Sequence, residues 1–462
     1  MADILLTHGY FLHEDPAERR IMKPYPPLGI LSISSYLKAR GFAVEVFDST
    51  FSSREAFRTH LSSTRPGLVG IYVNLMTKLN VLGMIRECKR HGATVIVGGP
   101  EVPNYAAEFL RHGADVAVIG EGELTLEELI PVLARGGTPD LRSVAGIVTL
   151  DPAGNLVRTP ERPLIPDLDA LPLPDRGAIR MADYIDTWRT HHGLGSVSLI
   201  CSRGCPFTCT WCSRSVFGDS HRRRSPGNVA DEIEHIMAEY RPDQLWFADD
   251  VFTINHRWFH QFHAEMKRRG LRVPFECISR ADRLNDEILG MMKEIGSFRI
   301  WFGSESGSQR ILDAMQRKVT VEKIREVTAQ ARKHGIESGF FVMLGYPGEE
   351  IADIDATIRH LKESRPDLYL TTVAYPIKGT ALHDEVRDRL LGDGDWEAIT
   401  DRQIGIRGRH SDRFYWFATR HMVNEVRWDK LRGVRQAPAA AAALVKSRVA
   451  RLGMHLTAHE RT

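Results

Sequence analysis

Short apolar runs and amphipathic stretches alternate along the first third of the chain. Residues 4–7 (ILLT), 43–47 (AVEVF), 68–73 (LVGIYV), 94–97 (TVIV) and 115–119 (DVAVI) are β-branched-rich and barely interrupted by polar positions, as in strands buried on both faces. Between them LGILSISSYLKARG, REAFRTHLSS, KLNVLGMIRECKRHG and AAEFLRHG carry a helical pattern, and Gly41 and Gly92 follow the first and third as stops. Strand and helix alternate, which predicts a doubly wound α/β domain with a parallel sheet over residues 1–135.

From 136 to 186 the pattern weakens. VAGIVTLDPAGNLVRT reads as two strands around a Pro-Ala-Gly-Asn turn, and PLIPDLDALPLPDRG is rich in proline and aspartate, so this segment is a linker with a hairpin. Alternation resumes with SVSLI at 196 and runs through VADEIEHIMAEY, QLWFADD, RWFHQFHAEMKRRG, VPFECIS, NDEILGMMKEIG, FRIWFGSES, TVEKIREVTAQARKHG, ESGFFVMLG, DIDATIRHLKES and DLYLTTVAY. Six βα-like steps make a partial barrel over 187–390, short of the eight of a closed one. Residues 391–462 hold RFYWFATRHMVNEVRWDKLRG and PAAAAALVKSRVARLGMHL, which predict a small helical cap. Their arginine and aromatic content suits an amphipathic packing helix, and also contact with a membrane surface or an anionic substrate.

Composition narrows the class. A chain of 462 residues exceeds what one core supports, so two or three domains are expected. Lys+Arg 61 against Asp+Glu 59 leaves +2, which gives no overall drive toward nucleic acid, and HRRR at 221–224 reads as a solvated turn or an anionic contact to substrate. The opening residues have no signal-peptide layout and no run reaches membrane-spanning length, so a cytoplasmic location is expected.

Ligands in α/β sheets sit beyond the carboxyl ends of the strands. The turns found there, GGPEVPN at 98–104 and GEGELT at 120–125, are glycine-rich. Neither is a dinucleotide fingerprint nor a P-loop, and tight structural turns or a large flat ligand both remain open. In the second domain Asp249, Asp250, Glu276, Glu305 and Ser306 are placed at strand carboxyl ends.

Four of the six cysteines crowd into CSRGCPFTCTWC at 201–212, while Cys88 and Cys277 stand alone. That layout is poor for disulfides and suits reduced thiolates binding metal. Cys205, Cys209 and Cys212 are spaced CxxxCxxC. A structural zinc site takes four ligands, and no second CxxC follows. The downstream pair His256 and His260 reads as a surface helix face. Three thiolates can hold three irons of a four-iron cluster and leave the fourth open. Cys201, at the end of the apolar run, receives no ligand role.

These residues resemble the radical S-adenosylmethionine (SAM) superfamily, whose loop is CxxxCxxC with an aromatic before the last cysteine, as Trp211 is here. The resemblance implies one [4Fe-4S] cluster whose open iron binds SAM, reductive SAM cleavage to a 5'-deoxyadenosyl radical, and an electron donor such as flavodoxin or ferredoxin. ADD at 248–250 lies where the family has an acidic motif near the SAM amino group, with Asp249 and Asp250 in place of the common Gly-Glu. GSESGSQRIL at 303–312 resembles the segment binding the SAM ribose and methionine ends, with Glu305 and Ser306 as candidates. GFFVMLGYPGE at 339–349 and YPIKGTAL at 375–382 resemble the adenine-side strand and the closing segment.

PPLGILSISSYLKARG, VIVGGPE and VIGEGE in turn resemble the cobalamin-binding domain of one radical SAM branch. That branch contains methyltransferases acting on unactivated carbon or phosphorus and the anaerobic cyclase of bacteriochlorophyll synthesis. It implies cobalamin near Asn74, Thr77, Gly98, Gly99 and Glu121. The DxHxxG motif that supplies an axial histidine is absent from THGYFLHEDPAERR, where His8 and His13 read as satisfied surface residues. Base-off cobalamin without that histidine is therefore expected. The fold class expected is α/β: a doubly wound cobalamin-binding domain, a partial (β/α)6 radical SAM barrel and a helical carboxyl-terminal region. The resemblance implies a methyltransferase using two SAM molecules, with cyclase-like radical chemistry as the alternative and a non-catalytic cobalamin or SAM sensor behind it. The substrate class is a small molecule, or a lipid-like or tetrapyrrole-like one, with Arg407, Arg413 and Tyr415 as residues to meet it.

Overall fold

The computed structural model describes residues 2–134, 140–392, 394–432 and 437–462. The expected boundary at 135/136 and the end of the helical pattern at Gly433 lie outside these residues. By internal contacts the chain forms two units. The first comprises Met1–Pro206, Ser213–Trp246 and Asp395–Thr400, and the second Phe207–Cys212, Phe247–Gly394 and Asp401–Thr462.

In the first unit β1 (Ile4–His8), β2 (Val44–Phe47), β3 (Leu68–Tyr72), β4 (Thr94–Gly98) and β5 (Val116–Val118) pair in parallel in the order β2-β1-β3-β4-β5. Their apolar runs are continuous because both faces are covered. Leu5, Val69, Ile71, Val95 and Val97 enter one core with Phe57, Leu61 and Phe109. Their alternates Ile4, Leu6, Ile96 and Val116 enter another with Ile30, Leu37 and Leu129, as strand periodicity requires. The helices Leu28–Ala39 and Lys78–Arg90 end just before Gly41 and Gly92, which hold φ of 88° and 75°. β6 (Ile147–Leu150) and β7 (Leu156–Arg158), joined by the Pro-Ala-Gly-Asn turn, extend the sheet antiparallel beyond β5.

One helix escaped the pattern reading. Met181–His192 buries Met181, Tyr184, Ile185 and Trp188, a helical spacing masked by the proline-rich residues before it. It runs across residues 186 and 187.

The six strand-helix steps are present in chain order. β8 (Ser196–Leu199) precedes the cysteine loop, whose stem is the two-residue pair β9 (Ser202–Arg203) and β10 (Arg222–Arg223), antiparallel to each other. β11 (Gln244–Phe247) follows. In the second unit β12 (Phe275–Ser279), β13 (Ser297–Glu305), β14 (Glu337–Leu344) and β15 (Leu368–Val373) pair in parallel as consecutive neighbours. The helices His256–Arg268, Asp286–Ile295 and Val321–Lys333 open on caps: Asn255 accepts from Trp258 N, Asn285 from Ile288 N, and Thr320 from Lys323 N. This is the partial (β/α)6 arrangement. Two helices, Asp412–Leu431 and Ala437–Leu456, pack on each other at the carboxyl-terminal side. Among the described residues no helix is long and apolar enough to cross a membrane.

One placement needs correction. Glu276 is the second residue of β12, not its carboxyl end, and is 5% exposed. It accepts hydrogen bonds from Trp301 Nε1 at 2.9 Å and Arg299 Nη1 at 3.1 Å, so it is a satisfied core carboxylate of the β12–β13 pair.

Candidate functional site

The stem of the cysteine loop is fastened to the carboxyl edge of the first sheet by charge. Glu121 and Glu123 follow β5 and are 7% and 3% exposed. Arg203 on β9 donates to Glu121 Oε1 at 2.6 Å and to Glu123 Oε1 at 2.5 Å. Arg222 on β10 donates to both oxygens of Glu121 at 3.0 and 2.8 Å and to Ile165 O at 2.6 Å, while Ile165 N donates to Glu121 Oε2. Within the loop, after its last cysteine, Ser215 Oγ donates to Pro100 O at 2.6 Å. HRRR is therefore not a solvated turn: Arg222 holds Glu121, and Arg224 pairs with Glu232, itself paired with the buried Arg176. Two carboxylates buried against two guanidinium groups lose their compensation if one cation goes. Replacing Arg203 with Met is expected to cost about 3 kcal/mol in chemical denaturation, and adding Glu123→Gln to return part of it.

All six cysteines are outside disulfides. Cys205, half-buried, lies in the first unit, whereas Cys209, buried, and Cys212, exposed, lie in the second. Cys201 is wholly buried at the end of β8, with its carbonyl accepting from Arg224 N at 2.9 Å. Cys88 and Cys277 are also buried, and burial pushes the Cys88 thiol up to about 12. Among the described residues no three His, Cys, Asp or Glu side chains are already gathered as for a metal ion.

The second half of the loop is stitched into the second unit through Thr210. Its amide donates to Met315 O at 3.2 Å, its carbonyl accepts from Leu382 N at 2.8 Å, and its hydroxyl meets Tyr346 Oη at 2.7 Å. Trp211 packs half-buried on the core of Ile311, Met315, Met343, Tyr346 and Leu382.

Two arginines converge on Cys209. Arg280 Nη1 lies 3.8 Å and Arg317 Nη1 3.7 Å from its Sγ. Arg280 is 2% exposed, lies over the Phe207 ring at 3.7 Å, and donates to Asp282 Oδ1 and to Arg317 O. Arg317 donates twice to Gly303 O, at 3.1 and 2.9 Å, and stands 4.0 Å from Glu305 Oε1. Two buried permanent cations donating to one sulfur suit a sulfur that carries negative charge, as a metal-bound thiolate does.

Glu305 ends β13 at a register shift between Gly303 and Glu305, in the left-handed region at φ 56°, which costs a non-glycine residue strain that functional sites commonly hold. Burial pushes its carboxyl up to about 7 against the opposing pull of Arg317 and Arg280. Ser306 is committed to the fold: its hydroxyl meets Thr357 Oγ1 at 3.2 Å and accepts from Ser308 N at 3.1 Å. Asp249 is buried just beyond β11. Asp250 opens to solvent, yet protein crowds its carboxyl enough that desolvation, with the Asp249 charge beside it, raises its pKa.

Along the edge of the first sheet, Asn74 Oδ1 accepts from the Met76 and Thr77 amides at 3.0 Å, and Asn74 N donates to Thr77 Oγ1 at 3.0 Å. The pair closes a turn on itself and leaves Met76 and Leu79 exposed. Gly99 has φ 113°, and a Cβ there would stand 2.5 Å from Val73 O, whereas a Cβ at Gly98 would meet only Val118 Cβ at 3.8 Å. His8 is a correction to the surface reading. It is 4% exposed, its Nε2 lies 3.0 Å from Asp48 Oδ1, and its Nδ1 accepts from Tyr10 N at 3.2 Å. Tyr184 Oη extends this network to Asp48 and Thr50. His13 is exposed.

Glu349, after β14, was not singled out in the sequence. Its Oε2 accepts from Gly345 N at 2.6 Å, and burial pushes it up to about 8. The GYPGE turn was its only signal. His256 bonds Arg283 O and His260 faces Glu287, as surface helix residues. Arg407 and Arg413 are exposed, Arg413 pairing with Glu460, while Tyr415 is buried.

A doubly wound parallel sheet, a partial (β/α)6 set and a tri-cysteine loop after its first strand define a two-cofactor α/β enzyme. Residues 199–361 match the radical SAM superfamily and residues 20–130 the B12 binding domain, together more than half of the chain. The chain is a radical SAM enzyme with a B12-binding domain ahead of its radical SAM domain, and the two domain types imply a [4Fe-4S] cluster, SAM and cobalamin. An uncharacterized methyltransferase of Pyrococcus horikoshii is 28% identical over 84% of this chain and 84% of its own. The anaerobic magnesium-protoporphyrin IX monomethyl ester cyclase of Rubrivivax gelatinosus is 27% identical over 84% of this chain and 70% of its own. The radical SAM methyltransferase TsrM from Kitasatospora setae, solved with cobalamin and a [4Fe-4S] cluster, shares the fold with a TM-score of 0.70 at 20% identity, over 84% of this chain and 78% of that one.

Proposed function

We propose that this chain is a cobalamin-dependent radical SAM methyltransferase that transfers a methyl group from SAM to an unactivated centre of a small-molecule substrate. The observation that carries the reading is the anchoring of the cysteine-loop stem, through Arg203 and Arg222, on Glu121 and Glu123 at the ligand edge of the B12-binding sheet. When bound, the cluster with SAM supplies a 5'-deoxyadenosyl radical and cobalamin carries the methyl group. Cys205, Cys209 and Cys212 are the residues that would hold three irons of the cluster, and Arg280 and Arg317 would compensate the charge at Cys209. Glu305 and the Asp249–Asp250 pair bind SAM from the ends of β13 and β11. Trp211 fixes the loop by packing. Electrons come from a flavodoxin or ferredoxin.

In the first sheet, Gly98 and Gly99 receive cobalamin, and Met76 and Leu79 give its ring an apolar surface. Both ring nitrogens of His8 are engaged, which supports base-off binding without an axial histidine. Gly99→Ala is expected to lower stability by about 2 kcal/mol or more, because it forces a strained φ and a backbone clash. Gly98→Ala should keep the wild-type melting temperature while weakening cobalamin binding, both measured on the purified chain.

Turnover with a substrate decides the reading. S-adenosylhomocysteine and 5'-deoxyadenosine in equal amounts with a methylated product is the expected result, and 5'-deoxyadenosine formation coupled to product without cobalamin dependence would overturn it. A second reading, radical cyclisation or rearrangement without methylation, is favoured by the similarity to the cyclase over 84% of the chain and predicts a product of unchanged carbon count.

A further inference from the structure

The last helix, Ala437–Leu456, is packed with its small residues inward. Ala440, Ala443, Ser447, Ala450 and Gly453 are buried, and Gly453 lies so close to Phe417 of the preceding helix that a Cβ would stand 2.4 Å from its ring. Apart from the buried Met454 and the half-buried Leu444, the large apolar residues point the other way. Val445, Val449, Leu452 and Leu456 are 62%, 62%, 61% and 64% exposed, and their spacing of four, three and four residues places them in one stripe. A helix that had only to cover this unit would turn the stripe inward. Lys446, Arg448 and His455 flank it, exposed, and the helix contains no acidic residue. The preceding helix exposes Trp416, Arg420, Val423 and Arg427 at similar spacing. Residues 412–462 hold ten Lys and Arg against four Asp and Glu, so they carry +6 in a chain whose total is only +2.

We propose that this helix docks on an anionic lipid surface, with the Val445–Leu456 stripe entering the headgroup boundary and Lys446 and Arg448 meeting lipid phosphates. Charge decides against a second copy of the chain: pairing two such stripes would set Lys446 and Arg448 against their own counterparts with no carboxylate on either helix. An apolar seam flanked by cations matches a bilayer of negative surface potential. The inference stands apart from the methyl-transfer reading, because none of these residues has a part in it.

Vesicle flotation of the full chain tests it, with phosphatidylcholine alone and phosphatidylcholine mixed with phosphatidylglycerol. Binding to the anionic vesicles should be at least about tenfold tighter and fall with added salt. Val449→Asp with Leu452→Asp, at exposed positions, should abolish flotation while leaving the melting temperature and SAM cleavage unchanged; Lys446→Glu with Arg448→Glu should weaken it. Equal binding to neutral vesicles, absence of binding, or an undiminished signal from the Asp variant would overturn the proposal. So would a wild-type dimer in solution that the Asp variant converts to monomer.

Discussion

Cys209→Ser is expected to bring iron content after anaerobic reconstitution to background and to lower 5'-deoxyadenosine formation by at least about a thousandfold. Cys209 is the cysteine whose sulfur receives two buried guanidinium donors. A serine hydroxyl offers no comparable anion to iron, and it leaves Arg280 and Arg317 without the charge they face. Cys205→Ser and Cys212→Ser should behave alike. Cys201→Ala is the internal control: its side chain is wholly buried beside the apolar end of β8, so the change should cost on the order of 1 kcal/mol of stability and leave iron content intact. Iron analysis and the visible spectrum check both. Loss of iron from the Cys201 variant would show that the cysteines are divided wrongly.

Arg317→Met is the second large effect expected. It removes one cation from Cys209, two donors from Gly303 O, and the nearest opposite charge from Glu305. Partners that orient and tune metal ligands are worth about 10- to 100-fold in affinity or activity, and SAM cleavage should fall by that much. A cation near a ligand sulfur also draws electron density from the cluster, so its loss should lower the cluster's midpoint potential. Arg317→Lys keeps the charge but not the planar fork, and should fall between wild type and Met in potential while losing the paired contact to Gly303 O. A redox titration followed by electron paramagnetic resonance reads the potential directly; an unchanged potential in the Met variant would mean that Arg317 only braces β13.

What could be read from the sequence was local. β1 to β5 are visible because strands buried on both faces need uninterrupted apolar runs, and Cys205, Cys209 and Cys212 are visible because their spacing lies within eight residues. What was hidden is the chemistry between distant residues. Arg203 lies 82 positions from Glu121, and Arg280 and Arg317 lie 71 and 108 from Cys209. A run such as HRRR looks solvated because Glu121, the partner of Arg222, lies 101 positions away in the chain. Glu276 was misplaced for a related reason, since VPFECIS does not say where pairing begins within it. Asn74 and Thr77 were singled out for a ligand, and their polar groups serve each other. Hydroxyls and amides at strand tips satisfy the backbone of their own turns first, a use that composition at a strand tip does not reveal.

The most direct test needs no substrate. The chain, reconstituted with iron and sulfide under anaerobic conditions, is given SAM and a low-potential reductant with and without cobalamin, and both SAM products are counted. The account predicts 5'-deoxyadenosine whenever the cluster is present, and S-adenosylhomocysteine only when cobalamin is present as well. Bound cobalamin with no S-adenosylhomocysteine formed would contradict the methyltransferase reading.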